Sequence, residues 1–154
     1  MSVGKNITLS SLKDFEKNFV LQKSSEEKVI EEQVKNLRIK VARTTMPVKA
    51  LSGGNQQKVV LAKWMITKPE VLIFDEPTRG IDVGAKAEIY KIMCEYAAQG
   101  NAIIMVSSEM PEAMGMSDRI IVLSNHKMSG EVARDEFDEE KLAQLQFRFM
   151  NATE

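Results

Sequence analysis

The sequence predicts an α/β fold in which a mostly parallel sheet with helices follows a helical amino-terminal subdomain. Three short, continuous apolar runs, at 71–74, 102–106 and 120–123, have the length and composition of strands buried on both faces of a parallel sheet. Segments with helical periodicity separate these runs, so the predicted order is βαβαβ. The first 50 residues are polar and helical in pattern, which predicts a separate subdomain.

The amino-terminal subdomain, residues 1–50, is predicted to contain a capped helix and then a loop. Ser24–Glu27 has the Ser-x-x-Glu spacing of a capping box. Ile30, Val34 and Leu37 then recur at helical spacing and predict one apolar helix face. Periodicity fades from 38 to 50, which predicts an extended loop.

Two longer helices are expected around the first strand. The segment from about 55 to 67 is apolar nearly all round, so we expect this helix, including Trp64, to be buried. The segment from about 84 to 99 is a predicted helix with an apolar stripe that includes Met93. Gly100 follows it, where a glycine commonly ends a helix. Cys94 itself is predicted to be a packing residue.

The remainder of the chain predicts a short helix, a turn, a strand and a terminal helix. Ser108 is a candidate cap for the helix from about 109 to 116. The segment 124–127 predicts a turn, with His126 as a solvated loop residue, and a strand then runs to Val132. We therefore expect an α/β part at 51–134 and a carboxy-terminal helix within 135–154, lined by Leu142, Leu145 and Phe149.

Composition excludes several classes of function. The 154 residues carry a net charge of about −1 without a long basic stripe, which argues against a nucleic-acid partner. A single cysteine allows no intrachain disulfide and favours a reducing compartment. Neither a membrane-spanning apolar run nor a signal-peptide pattern is present in the sequence. We expect a cytoplasmic protein whose membrane association, if it has one, comes through a partner.

Two adjacent carboxylates, Asp75 and Glu76, carry the strongest chemical signal. They end the apolar run 71–74, so a buried strand would deliver them to its carboxyl tip. Asp75 is a candidate ligand of Mg²⁺, through a water, and Glu76 is a candidate base for the water that attacks a γ-phosphate. The alternative is a strand that ends at the surface with solvated acids.

A second motif precedes the first by about twenty residues. Leu51–Lys58 reads Leu-Ser-Gly-Gly-Asn-Gln-Gln-Lys and opens a helix. Ser52 supplies a hydroxyl, Gly53 and Gly54 can bring the backbone close to a phosphate in conformations closed to other residues, and the helix start presents free N–H groups. The alternative is an ordinary loop and helix cap without a ligand.

Together the two motifs resemble the signature motif and the Walker B strand of an ATP-binding cassette (ABC) ATPase. With the following Asp75–Lys86 segment, the chain is similar to the second nucleotide-binding half of the duplicated ATPases of bacterial monosaccharide importers for ribose, galactosides and xylose. The resemblance runs from about residue 6 to the end and is densest at 51–122. It implies a P-loop NTPase-like fold of which only the back part is present, because the sequence holds no G-x-x-x-x-G-K-[ST] phosphate loop.

The resemblance also implies the roles of individual residues. Ser52, Gly53, Gly54 and Asn55 would contact the nucleotide held by the other cassette half, and Asp82 would lie in the loop that communicates across the dimer interface. Ser108 stands where most cassettes have a histidine that contacts the γ-phosphate. Serine can donate a hydrogen bond but carries no positive charge, so the site lined by Asp75 and Glu76 would be the weaker of two unequal sites.

The implied function is ATP binding and hydrolysis, with Mg²⁺, in a head-to-tail dimer that drives sugar import. The helical subdomain would dock on membrane permease subunits, and a sugar-binding protein would act indirectly. The chain alone, without a Walker A loop, is expected to be inactive. Two alternatives stay open: a non-catalytic interaction module, and an ABC ATPase of DNA repair or translation.

Overall fold

The computed structural model describes residues 1–17 and 19–149. In this part the chain divides into two compact units, one made of Met1–Ile73 and Pro77–Ile104, the other of Phe74–Glu76 and the residues from Met105 onward. Short 3-10 segments lie at Leu9–Phe15, Val48–Ala50 and Arg134–Glu136. The helices and strands are α1 (Val3–Thr8), β1 (Glu16–Lys17), β2 (Val20–Leu21), α2 (Lys23–Asn36), α3 (Gly53–Met65), β3 (Val71–Asp75), α4 (Val83–Ala97), β4 (Ala102–Val106), α5 (Met110–Met116), β5 (Arg119–Ser124), β6 (Lys127–Ala133) and α6 (Glu139–Phe147).

The start of α2 differs from the sequence-based expectation. The helix begins at Lys23, its N-cap is Gln22, and no side chain caps it, so the predicted capping box at Ser24–Glu27 is wrong. Ser25 Oγ donates instead to the carbonyl of Gln22 at 2.8 Å, because both serines already lie inside the first turn. The apolar stripe is confirmed: Ile30 and Leu37 are buried and Val34 is half-buried.

The central helix α3 is only partly buried. It packs against α1 and α4, and Val59, Leu61 and Ala62 belong to the core. Val60 and Trp64 are 44% and 49% exposed, so the expectations of a helix buried all round and of a core tryptophan are wrong. These two residues are four apart and share a face that none of the packed helices covers.

Helix α4 follows its prediction closely. Ile89, Ile92, Met93 and Tyr96 are buried along one stripe, and Gly100 ends the helix region with a φ of 89°. Such a φ favours glycine, as expected at a helix carboxyl end. Cys94 is exposed, so its predicted packing role is wrong.

The parallel part of the sheet consists of β3 and β4 among the described residues. The Ala102 N–H donates to Glu70 O at 2.8 Å and the Glu76 N–H donates to Val106 O at 2.9 Å, so the two strands run in the same direction. Exposure alternates along β3, and Ile73 is 70% exposed. The expected burial on both faces is wrong, because the described structure gives this two-stranded sheet only one covered side.

The third apolar run does not join the parallel strands. It forms β5, which pairs antiparallel with β6 through a two-residue turn at Asn125 and His126, whose φ values are 46° and 61°. Positive φ values at both residues fit a type I′ turn, whose twist matches that of the two strands it joins. The turn, the strand to Val132 and the exposed His126 are confirmed, whereas the βαβαβ order ends in a hairpin.

Helix α6 packs against β5 and β6 in the second unit. Leu142 is buried, and Leu145 lies so close to Gly130 that a Cβ added there would stand 2.8 Å from its Cδ2. Phe149 lies beyond the end of the helix, so the expectation that it lines the helix is wrong, and residues 150–154 of the predicted helical segment lie outside the described residues. Across the described chain, no helix combines the length and the apolar content needed to span a membrane.

Candidate functional site

The carboxyl end of β3 places both predicted carboxylates. Asp75 is the last residue of the strand and is exposed, and Glu76 follows it half-buried. Glu76 has a φ of 48°, a left-handed conformation that costs a side-chain-bearing residue free energy. Its N–H is held by Val106 O at 2.9 Å. The backbone bond therefore fixes a strained residue at the strand tip, as is common at functional sites.

The strain at Glu76 predicts an unusual stability response. Glu76→Gly should give a chain more stable than Glu76→Ala by about 1 kcal/mol, because glycine adopts a positive φ without a Cβ clash. Urea unfolding of the two variants measures this difference. Both lack the carboxylate, so alanine is the matched control for its loss. Equal stability of the two variants would show that the left-handed conformation at this position costs nothing.

The end of β4 lies beside this tip, because neighbouring parallel strands end at the same edge of their sheet. Ser107 Oγ accepts from the Glu109 N–H at 3.1 Å and donates to Glu112 Oε2. Ser107 therefore makes the side-chain hydrogen bonds at the start of α5, whose N-cap is Glu109. Ser108 is exposed at the bend, and the expectation that it caps the helix is wrong.

The donor set at this edge fits a magnesium ion held with a phosphate. Among residues 1–17 and 19–149 there is no group of three or more His, Cys, Asp or Glu side chains that could hold a metal alone. Mg²⁺ in nucleotide sites keeps several waters and uses one or two carboxylates together with substrate phosphates. Asp75, exposed at the strand tip, offers such a carboxylate.

The first compact unit contains the start of α3, where Ser52 is the N-cap. Its side chain accepts no hydrogen bond from the helix backbone, and the Gln56 N–H donates instead to Ser52 O at 2.9 Å. Ser52 Oγ accepts from Asn55 Nδ2 at 2.9 Å, and Asn55 Oδ1 accepts from the Lys40 N–H at 2.7 Å. The exposed Ser52 hydroxyl is therefore held in place by the Asn55 side chain and makes no helix-capping hydrogen bond.

The two glycines of this motif differ from expectation and from each other. Neither has a positive φ, so the predicted special conformation is wrong, and both are ordinary residues of the first helical turn. Gly53 is exposed, with the nearest contact of an added Cβ at 3.8 Å from Gly80 O. Gly54 is buried, and an added Cβ would stand 2.4 Å from Ala85 Cβ on α4. Gly54 is required by helix packing.

The loop before α4 lies next to the same helix start, since Gly80 and Ile81 are the neighbours of the two glycines. Gly80 has a φ of 72°. Asp82 is the N-cap of α4, exposed, with Oδ1 accepting from the Ala85 N–H at 2.9 Å. The structure therefore brings the Ser52–Asn55 segment and the loop of Asp82 together in one unit.

The ion pair between Lys58 on α3 and Glu88 on α4 was not predicted from the sequence. Lys58 is 2% exposed, and its Nζ donates to Arg38 O at 3.1 Å and pairs with Glu88 Oε2 at 2.5 Å. Lys58 donates a hydrogen bond to Glu88 and attracts its negative charge, which together lower the pKa of that carboxyl below its ordinary 4.5. Lys40 and Arg38 act in the same direction more weakly, and burial opposes them. The sequence signal was a lysine among the apolar residues of α3.

Several known proteins are similar to this chain in sequence. A family profile described as "ABC transporter" matches residues 1–79. The chain is 55% identical over 146 residues to a ribose import ATP-binding protein of Clostridium perfringens, covering 94% of this chain and 29% of that protein. It is 52% identical over 142 residues to a xylose import ATP-binding protein of Geobacillus kaustophilus, covering 92% and 28%. The chain thus spans less than a third of the length of these relatives.

Solved structures show the same fold at lower identity. The ATP-binding cassette MJ1267 of an ABC transporter superposes with a TM-score of 0.77 at 18% identity, covering 94% of this chain and 62% of that one. The dimeric cassette MJ0796, bound to ADP and Pi, gives 0.73 at 20% identity, covering 89% and 58%. The predicted α/β class and its relation to nucleotide-binding cassettes are confirmed.

Proposed function

Because this chain belongs to the ABC transporter family, we propose that it forms the carboxy-terminal part of an ATP-binding subunit that energises bacterial import of a monosaccharide. The named import functions of the relatives at 52–55% identity support the transport class. The proposal extends to the subunit as a whole, of which these residues would supply one signature segment and one Walker B strand tip.

The Ser52–Asn55 segment is proposed to complete an ATP site on another cassette half. Ser52 is exposed and its side chain makes no capping hydrogen bond, and the neighbouring Gly53 is exposed as well. The start of α3 adds the positive end of a helix dipole, which favours a phosphate. Asp82, in the adjoining loop, would contact the partner across the same interface.

The second, weaker site is proposed at the end of β3. Asp75 would hold Mg²⁺ through a water, and the ion would neutralise phosphate charge when it is bound. Glu76 would accept the proton of the attacking water, an effect of roughly 10² to 10⁴ in rate for a well-placed base. Ser108 would donate a hydrogen bond to the γ-phosphate without a charge, so hydrolysis at this site should be slow.

The partners follow from this arrangement. Two cassette halves would close head to tail on ATP and reopen after hydrolysis, which is a two-state switch biased by ligand contacts. Residues 1–50 would pass this motion to the permease, and a sugar-binding protein would be coupled through the permease. The subunit would then lie at the cytoplasmic face of the membrane, and neither site requires nucleic acid. The functional division at residues 50 and 134 stays a prediction.

The observation that carries the proposal is the exposed Ser52 hydroxyl at an uncapped helix start. We expect the chain alone to bind Mg-ATP weakly or not at all, since a phosphate loop normally supplies most phosphate donors. Mixed with a hydrolysis-deficient family cassette that carries a phosphate loop, the chain should associate in an ATP-dependent way.

Analytical ultracentrifugation with and without Mg-ATP measures this association, and isothermal titration measures nucleotide binding to the chain alone. Ser52→Ala should weaken the association about tenfold, the scale of one hydrogen bond to a charged group. Ser10→Ala is the matched control, because Ser10 is bound to Lys63 O away from the start of α3. Micromolar ATP affinity of the isolated chain, or association unaffected by Ser52→Ala, would contradict the proposal.

A further inference from the structure

Three groups form a chain of hydrogen bonds at the start of α3. The backbone N–H of Lys40 donates to Asn55 Oδ1 at 2.7 Å, and Asn55 Nδ2 donates to Ser52 Oγ at 2.9 Å. Lys40 lies in the loop after α2, so these hydrogen bonds connect that loop to Ser52, the N-cap of α3. Asn55 is half-buried between them, whereas Ser52 is exposed.

The direction of each bond in this chain is fixed by chemistry. A backbone N–H can only donate, so it must face the amide oxygen of Asn55. The amide nitrogen then points at Ser52, and it too can only donate. The Ser52 oxygen is therefore an acceptor in this contact, and its own hydrogen is left for another acceptor. No helix N–H competes for the serine oxygen, because Ser52 makes no side-chain cap bond.

We propose that Asn55 is a positioning residue that sets the polarity of the Ser52 hydroxyl, so that its proton points outward to a phosphate oxygen. This inference rests on the proposed ATP site in trans and narrows it. Ser52 then touches the nucleotide, whereas Asn55 acts through Ser52, to which its amide nitrogen donates while its amide oxygen is held by the Lys40 N–H. Because the Lys40 N–H holds the Asn55 amide in place, the orientation of the Ser52 hydroxyl also depends on the loop after α2.

A double-mutant cycle separates action through Ser52 from direct contact with the nucleotide. The full 154-residue chain is measured with Mg-ATP and the phosphate-loop cassette, as wild type, Ser52→Ala, Asn55→Ala and the double variant. We expect about tenfold weaker association for Ser52→Ala and about fivefold for Asn55→Ala. The double variant should stay about tenfold weaker, and not reach the roughly fiftyfold of independent effects.

A second substitution guards against simple loss of structure. Asn55→Asp keeps an acceptor for the Lys40 N–H but offers no donor to Ser52, whose proton would then turn toward the carboxylate. We expect the Lys40 amide to stay protected from hydrogen exchange while ATP-dependent association falls by at least fivefold. Asn55→Ala should lose that protection.

The possible outcomes separate the two proposals. If Ser52→Ala has no effect, the trans ATP site itself is wrong. If Ser52→Ala weakens association but the Asn55 and Ser52 effects multiply, Asn55 contacts the nucleotide directly and the positioning inference fails alone. Wild-type association of Asn55→Asp, with Lys40 protected, would also overturn it.

Discussion

Replacing Gly54 by alanine is expected to lower the free energy of unfolding by about 1 to 3 kcal/mol, the usual cost of overpacking a well-packed contact. The added Cβ would stand 2.4 Å from Ala85 Cβ, far inside the separation of about 3.5 to 4.0 Å at which carbon atoms attract. Both atoms are fixed to helix backbones, so α3 and α4 must move apart. Urea denaturation of the chain measures the loss.

Two matched variants test this packing explanation. Gly53→Ala adds the same methyl group one residue earlier, where its nearest contact would be an ordinary 3.8 Å, so its effect on stability should be within about 0.5 kcal/mol. The exchange Gly54→Ala with Ala85→Gly moves the methyl group to the other helix and should restore most of the lost stability. If Gly54→Ala is as stable as Gly53→Ala, the close helix contact does not constrain this position.

Removing the acidic partner of Lys58 is expected to cost more than removing Lys58 itself. Glu88→Ala leaves a 2% exposed ammonium group with only the Arg38 carbonyl, and we expect a loss of about 2 kcal/mol. This value is below the roughly 3 to 5 kcal/mol of fully buried pairs, because Glu88 is 46% exposed and solvent screens the pair. Lys58→Met leaves a 46% exposed carboxylate that water can reach, so its loss should be about 1 kcal/mol. A larger loss for Lys58→Met than for Glu88→Ala would contradict this order.

The same pair should make stability depend on pH. The folded pKa of Glu88 lies below 4.5, so on acidification the unfolded chain binds this proton first. The contribution of the pair is therefore complete above about pH 4.5 and is lost as pH falls through the folded pKa. As pH falls below about 4.5 the wild type should lose more stability than Glu88→Gln, which has no charge to titrate. Parallel losses would show that Glu88 does not contribute to acid sensitivity.

Local pattern was sufficient wherever the nearest neighbours in sequence decide the conformation. The stripe of α4, the glycine at its end and the two-residue turn before β6 all follow from periodicity or from backbone freedom within a few residues. The family was predicted on the same basis, because its two motifs are contiguous and their spacing is short. The roles of Asp75, Glu76, Ser108, Ser52 and Asp82 stay predictions, of which the association experiment above tests that of Ser52.

Long-range packing decided the rest. A continuous apolar run is compatible with a parallel or an antiparallel neighbour, and the tertiary structure showed that β5 pairs only with β6 in the described sheets and does not join β3 and β4. Burial of α3 depends on which faces α1 and α4 cover, so Trp64 is exposed although its helix is apolar. The reason for Gly54 is likewise Ala85, which lies 31 positions along the chain. The sequence by itself determined the family and predicted the chemistry of its motifs, whereas contacts between distant segments determined which residues pack, because burial depends on partners that local pattern does not specify.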